Sequence, residues 1–215
     1  IKDPVEVLDL LKKGTLVEVD RGRKGNLTLH IKFFDYENSQ NNHFCYIYEA
    51  KFKGQPENIE PDFTLFMNGI PVVVIEAKKE VSEVETHKEG ITQVERYERE
   101  APELFKYVQL AVVVADEDVY FATYPNYEMG LRKNRKINIW KDENGNSNIW
   151  ELLTPQILLD VIENFIFFNV DRAGNLTKVI PRYMQYKAVK KAFERVKSYL
   201  EESGEKNRGL IWHWQ

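Results

Sequence analysis

The chain has 215 residues and a formal net charge of −4, long enough for a core that needs no disulfide or metal staple, and as a whole too acidic to grip nucleic acid by charge alone. One cysteine, Cys45, excludes an internal disulfide and points to a reducing, cytoplasmic setting. No apolar run approaches the roughly 20 residues that span a bilayer, and the opening residues lack a basic stretch followed by an apolar one, so membrane and secretory readings find little support.

Asp3 to Lys13 has helical apolar spacing, with Asp3 as N-cap, Pro4 at the first position and Gly14 as the stop. Gly22-Arg23-Lys24-Gly25 reads as a basic hairpin turn rather than a phosphate loop. Leu27 to Phe33 alternates like a strand with one buried face, and Phe44 to Phe52 reads as another. The polar tract Glu37 to Asn42 is expected to join these two as a hairpin loop. From Phe63, two apolar runs flank Asn68-Gly69, a strong hairpin signal.

Glu83 to Glu100 is highly charged, broken only by Gly90, and predicts a helix. Tyr107 to Ala115 and Val119 to Tyr124 predict a second strand pair, Ile137 to Trp140 a further strand, and Asp142 to Asn146 a turn. Ile157 to Phe168 and Tyr183 to Leu200 have the length and content of helices. Residues 171–215 carry ten Lys or Arg against five Asp or Glu, which leaves −9 on residues 1–170. A seam is therefore expected near Asn169 to Ile180, with Asp171 to Asn175 as a linker turn. Gly209 to Gln215 starts like a buried strand and stops before any turn, so the natural protein is expected to continue.

The chemistry concentrates at Pro61-Asp62 and Glu76-Ala77-Lys78. A hairpin between them brings Asp62, Glu76 and Lys78 to one end of a strand pair, with Glu76 and Lys78 on one face. Two carboxylates beside an amine suit a hard cation, which polarises a phosphodiester and lowers the pKa of an attacking water. The plainer alternative is a turn Asp with a surface Glu–Lys pair. Against it, Glu76 follows the apolar run Val72 to Ile75, where idle charge is costly.

These residues resemble the PD-(D/E)xK nuclease signature, and Gln93-Val94-Glu95-Arg96-Tyr97 resembles the QxxxY motif of its RecB-like branch. Phe66 to Lys78 and Leu104 to Gln109 are similar to the R, or motor, subunit of type I restriction enzymes. Pro181 to Val189 resembles the segment preceding that subunit's helicase motor, and Gly209 to Gln215 the strand entering its Walker A loop. The resemblance implies an α/β PD-(D/E)xK fold, a central mixed sheet flanked by helices. It makes residues 1–170 the nuclease domain, and 171–215 a linker helix and first strand of a helicase-like motor domain.

It also implies Mg2+-dependent cleavage of double-stranded DNA, with Asp62, Glu76 and the Ala77 carbonyl on the metal. Lys78 would then position the water, and Gln93 and Tyr97 would support the site. ATP enters only through the missing motor, and methylation and specificity subunits are the implied partners. Many relatives carry a further acidic or histidine residue on an early helix; Glu6 and Asp9 are possible counterparts that no motif fixes. A docking module that retains the fold without cutting, and a stand-alone repair or defence nuclease, are the competing readings.

His30, His43, His87 and His213 show no metal-ligand spacing. Tyr120, Phe121, Tyr124, Tyr127 and Trp140 read as core and turn anchors before base-stacking platforms, and the basic helix at Lys187 to Lys197 reads equally as a phosphate contact or a solvated face.

Overall fold

A computed structural model describes residues 3–79, 86–124, 135–170, 172, 174 and 176–201. Its contacts divide the chain into one unit ending at Ile180 and a second beginning at Pro181. The first unit is α/β, built on a mixed five-stranded sheet in the order β3-β4-β5-β6-β7.

Helix α1 (Pro4–Lys13) is capped as its residues predict: Asp3 Oδ1 accepts the Val5 N–H at 2.7 Å, and Gly14, at φ 73°, donates to the Leu10 carbonyl. A ribbon follows, β1 (Thr15–Asp20) antiparallel to β2 (Asn26–Ile31), closed by the basic turn at Gly22–Lys24. The expected hairpin between the Leu27 and Phe44 strands does not form, because β2 pairs backwards with β1. The expected buried face is also exposed at Leu29 and Ile31.

The polar tract instead knots on itself. Asp35 Oδ1 accepts the Glu37 and Asn38 N–H groups, and the Asn42 side-chain oxygen accepts the Asp35 N–H. The tract then passes the chain to its next partner through the His43 N–H, which donates to Asn68 Oδ1 at 2.7 Å.

β3 (Phe44–Tyr48) pairs with β4 (Phe63–Met67), and β4 with β5 (Ile70–Ala77), both antiparallel. Phe52 lies beyond β3, in an isolated bridge to Ile59. The Asn-Gly turn is built as predicted, with φ 51° at Asn68 and 80° at Gly69, which twist the two strands together. β5 is central, and Val72 to Ile75 are buried. Full burial of such side chains stabilises by about 1.5–3 kcal/mol each.

Helix α2 (Thr86–Glu100) and the short α3 (Pro102–Phe105) cross to β6 (Leu110–Val114), which runs parallel to β5, and β7 (Val119–Ala122) closes the sheet antiparallel. The predicted helix residues 83–85 lie outside the described residues. Gly90 is not a break. A Cβ there would sit 2.5 Å from Val113 Cγ1, so glycine lets α2 lie directly on β6. Val94 and Tyr97 of α2 pack with Val74, Val113 and Phe121 in one core cluster.

Ile137 to Trp140 forms only a bridge, Asn138 to Tyr120, rather than a strand. Of the aromatic candidates, Tyr120, Phe121, Tyr124 and Trp140 are buried and pack the core, while Tyr127 lies outside the described residues. The predicted helix at Ile157 to Phe168 is shorter. After α4 (Ile149–Leu152), α5 (Pro155–Asp160) widens into a π-turn at Val161–Phe165. The chain then extends as β8 (Phe167–Val170).

β8 pairs with β9 (Leu176–Val179), so the expected linker region is largely a hairpin; residues 171, 173 and 175 lie outside the described set. It reaches the core through Lys178, 4% exposed, whose ammonium faces the carbonyls of Val108, Gln109 and Thr123 at 3.3–3.4 Å. In the second unit the predicted helix is present as α6 (Tyr183–Leu200), and Gly209 to Gln215 lies outside the described residues. Among the described residues no helix is long and apolar enough to cross a membrane.

Candidate active site

The β4–β5 register sets Phe63 opposite Ile75. Asp62, one residue before Phe63, therefore lies beside the end of β5, where its Oδ2 accepts the Ala77 N–H at 2.7 Å. β5 pairs with β6 at Glu76 and Val113, and the Lys78 N–H continues the ladder to the Val114 carbonyl at 2.8 Å. Strand alternation then aims Val74, Glu76 and Lys78 toward α2, and Lys78 Nζ lies 3.4 Å from Glu76 Oε2. The three residues predicted to meet do meet.

Gln93 and Tyr97 join them. Lys78 Nζ donates to Gln93 Oε1 at 2.5 Å, Gln93 Nε2 donates to the Tyr97 hydroxyl at 2.6 Å, and that hydroxyl donates to the Glu60 carbonyl at 3.1 Å. The Gln93 amide can satisfy both neighbours in only one orientation, because its oxygen must face the ammonium. The chain of bonds runs from the end of β5, across α2, to the backbone two residues before Asp62. Sequence reading missed the Glu60 carbonyl, and no residue-type signal marks a backbone acceptor. It also passed over Arg96, whose guanidinium lies 5.2 Å from the centre of the Tyr97 ring.

Two fully buried glutamates lie in this region and differ in one respect. Glu98 is satisfied: Oε1 accepts the Tyr124 N–H at 2.9 Å and Oε2 accepts Arg135 Nη2 at 2.5 Å. Glu76 is less so: no group among the described residues reaches its Oε1 in good hydrogen-bond geometry, and the Tyr97 hydroxyl, already bonded to Gln93 and the Glu60 carbonyl, acts on the carboxylate only weakly from nearby. Burial, and next the nearby Asp62 carboxylate, push Glu76 up to about 7, against the pull of Lys78. Burial likewise raises the Tyr97 phenol to about 12, while its bond to Gln93 acts in the opposite direction.

An unsatisfied buried carboxylate oxygen beside a second carboxylate costs stability unless something is bound there. Among the described residues no group of three His, Cys, Asp or Glu side chains gathers. The side-chain donor set is therefore Asp62 and Glu76, with carbonyls such as that of Ala77 nearby in the chain. That set fits Mg2+, which keeps several waters and takes one or two carboxylates, and does not fit zinc. Neither early acidic residue joins it: Glu6 is exposed, and Asp9 forms an exposed ion pair with Lys13 at 3.0 Å.

Residues 2–130 match the family described as type I restriction enzyme R protein N terminus. A Methanocaldococcus jannaschii protein with the provisional name type I restriction enzyme MjaVIIIP endonuclease subunit is 55% identical over 212 residues, covering 99% of this chain and 21% of that protein. The type I restriction enzyme HindI endonuclease subunit of Haemophilus influenzae is 28% identical over 215 residues, covering 96% of this chain and 20% of that protein. The chain thus spans about a fifth of the length of the curated relatives it matches.

Proposed function

Because the chain belongs to the family of type I restriction enzyme R protein N termini, we propose that it is the DNA-cleaving domain of such a subunit, with a PD-(D/E)xK site of the RecB-like kind. The observation that carries this reading is the buried Glu76 Oε1 beside Asp62, without a hydrogen-bond partner among the described residues. Asp62, Glu76 and the Ala77 carbonyl would hold Mg2+. When bound, Mg2+ polarises the phosphodiester and lowers the pKa of a coordinated water.

The chain's own residues do the rest. Lys78 orients the water and, as a fixed cation, stabilises charge developing on the phosphate as the water oxygen bonds to phosphorus and an ester P–O bond breaks, the attacking water losing a proton to solvent and the departing ester oxygen taking one up from it. Gln93 holds the Lys78 ammonium, and Tyr97 holds Gln93, so both are positioning residues. Asp62 receives its orientation from the Ala77 N–H. In the whole subunit, double-stranded DNA is the substrate, an ATP-driven motor outside this chain supplies translocation, and methylation and specificity subunits select the site.

Calorimetric titration of the chain with Mg2+, beside cleavage of duplex DNA by the assembled enzyme, tests the reading. One saturable Mg2+ site, lost in Asp62→Ala and Glu76→Ala together with cleavage, supports it. Undiminished cleavage by either variant overturns it, and absence of any Mg2+ site leaves a docking role for the fold.

A further inference from the structure

We propose that Arg96 is a DNA-phosphate anchor of this site, gripping a backbone phosphate next to the one that is cut; the inference rests on the nuclease reading above. A polyanion approaching the site meets a charge problem. Residues 1–170 carry −9, and Glu49, Asp62 and Glu60 all act on the exposed Tyr48 phenol, raising it, with its bond to Glu49 the largest cause. Duplex binding draws much of its affinity from cations that neutralise phosphates, so cations must stand at the mouth of the site.

Lys78 is not available for that task. Its side chain is 20% exposed and is held by Gln93 and Glu76. Arg96, three residues after Gln93, differs: its side chain is 53% exposed. The guanidinium is held over the Tyr97 ring, and Tyr97 is fixed in turn by its bond to the Glu60 carbonyl. Among the described residues its carboxylate neighbour in ion-pair geometry is Glu100, 3.9 Å from Nε, a loose contact that an incoming phosphate can replace.

A planar fork of donors, pre-ordered on an aromatic face and open to solvent, suits bidentate capture of phosphate oxygens. Lys51 lies 3.7 Å from the Glu60 carboxylate, is 71% exposed, and adds a second positive charge beside that residue.

The test is the salt dependence of duplex DNA binding by the 215-residue chain, read by fluorescence anisotropy with Ca2+ in place of Mg2+ to prevent cutting. Parental protein is compared with Arg96→Gln and Arg96→Lys. Loss of one phosphate contact lowers the slope of log affinity against log salt by about 0.9. Between 50 and 200 mM salt, Arg96→Gln is then expected to lose roughly 3.5-fold less affinity than the parent. Arg96→Lys keeps the parental slope, because it keeps the charge.

A purely structural Arg96, serving its Glu100 pair or the packing of Tyr97, would alter melting temperature and leave the slope unchanged. An Arg96→Gln slope equal to the parental one overturns the proposal while leaving the nuclease reading intact. A parental chain that binds no duplex at any salt concentration overturns this inference, and the nuclease reading is then decided separately by cleavage in the assembled enzyme.

Discussion

The Lys78 ammonium and the Gln93 side-chain oxygen are 2.5 Å apart, a contact that ties the end of the central strand to the helix crossing above it. Through the Gln93 amide it continues to Tyr97 and the Glu60 carbonyl, so a motif residue four positions along the helix bears on a lysine fifteen positions upstream of its partner. Gln93→Ala and Tyr97→Phe should therefore slow cleavage through misplacement of Lys78. A hydrogen bond to a charged group contributes roughly 1.5–3 kcal/mol, about a tenfold to hundredfold rate change if expressed in the transition state. Cleavage rate measured against Mg2+ concentration should show kcat falling with the metal midpoint little moved, whereas Asp62→Ala should move the midpoint. Parental rates in both variants would reduce the helix to a packing element.

Lys78→Ala should abolish cleavage and leave the fold in place. Among the described residues the hydrogen bonds of its ammonium go to Glu76 and Gln93, both in the site itself. Circular dichroism and melting temperature close to the parental values, with no nicked DNA, are the expected outcome; normal cutting would remove Lys78 from the mechanism.

Glu76→Gln should separate function from stability. The native carboxylate is fully buried, without a hydrogen-bond partner at Oε1 among the described residues, and raised to about 7 by burial and Asp62. Folding therefore favours its protonated form, and that contribution is lost as pH rises from the ordinary carboxylate range through 7. An amide removes this penalty while keeping the shape. Without metal at pH 8, the variant should melt higher than the parent, and it should not cut. A lower melting temperature would show that the carboxylate is structural, as Glu98 is.

Gly90→Ala should be destabilising despite the higher helix propensity of alanine, because the new methyl group meets Val113 Cγ1 at 2.5 Å. Overpacking of this kind costs about 1–3 kcal/mol. Urea unfolding should show the loss, and Val113→Ala in the same chain should recover part of it. Additive effects of the two substitutions would mean that α2 and β6 are not in the close contact described.

Lys178 gives a pH signature of its own. Burial lowers its ammonium to about 7, with Glu98 opposing. Between pH 7 and the ordinary lysine value the unfolded chain binds the extra proton, so this residue's contribution makes stability rise with pH across that window. Below pH 7 the full penalty of a buried charge is present, offset in part by the surrounding carbonyls. Lys178→Met should flatten the rise in denaturation midpoint between pH 7 and 9, and an unchanged slope would show that the ammonium stays charged throughout.

What the linear order of residues determined is local. Asn68-Gly69 between apolar runs dictates a hairpin, and the hairpin brings Asp62 beside Glu76 and Lys78 whatever surrounds it. The four-residue spacing of Gln93 and Tyr97 puts them on one helix face, and Asp3, Pro4 and Gly14 bound their helix by backbone chemistry alone. Partner choice was decided elsewhere. β2 has the alternation of a half-buried strand but pairs with β1 and keeps much of its apolar face in solvent, because alternation reports which side chains share a face and not what covers it. Glu76 and Glu98 are both acidic residues lost to solvent. Only the folded chain brings Arg135 and the Tyr124 N–H to Glu98 and leaves Oε1 of Glu76 without a hydrogen-bond partner among the described residues, since those groups are distant in sequence and meet through packing of helix on sheet.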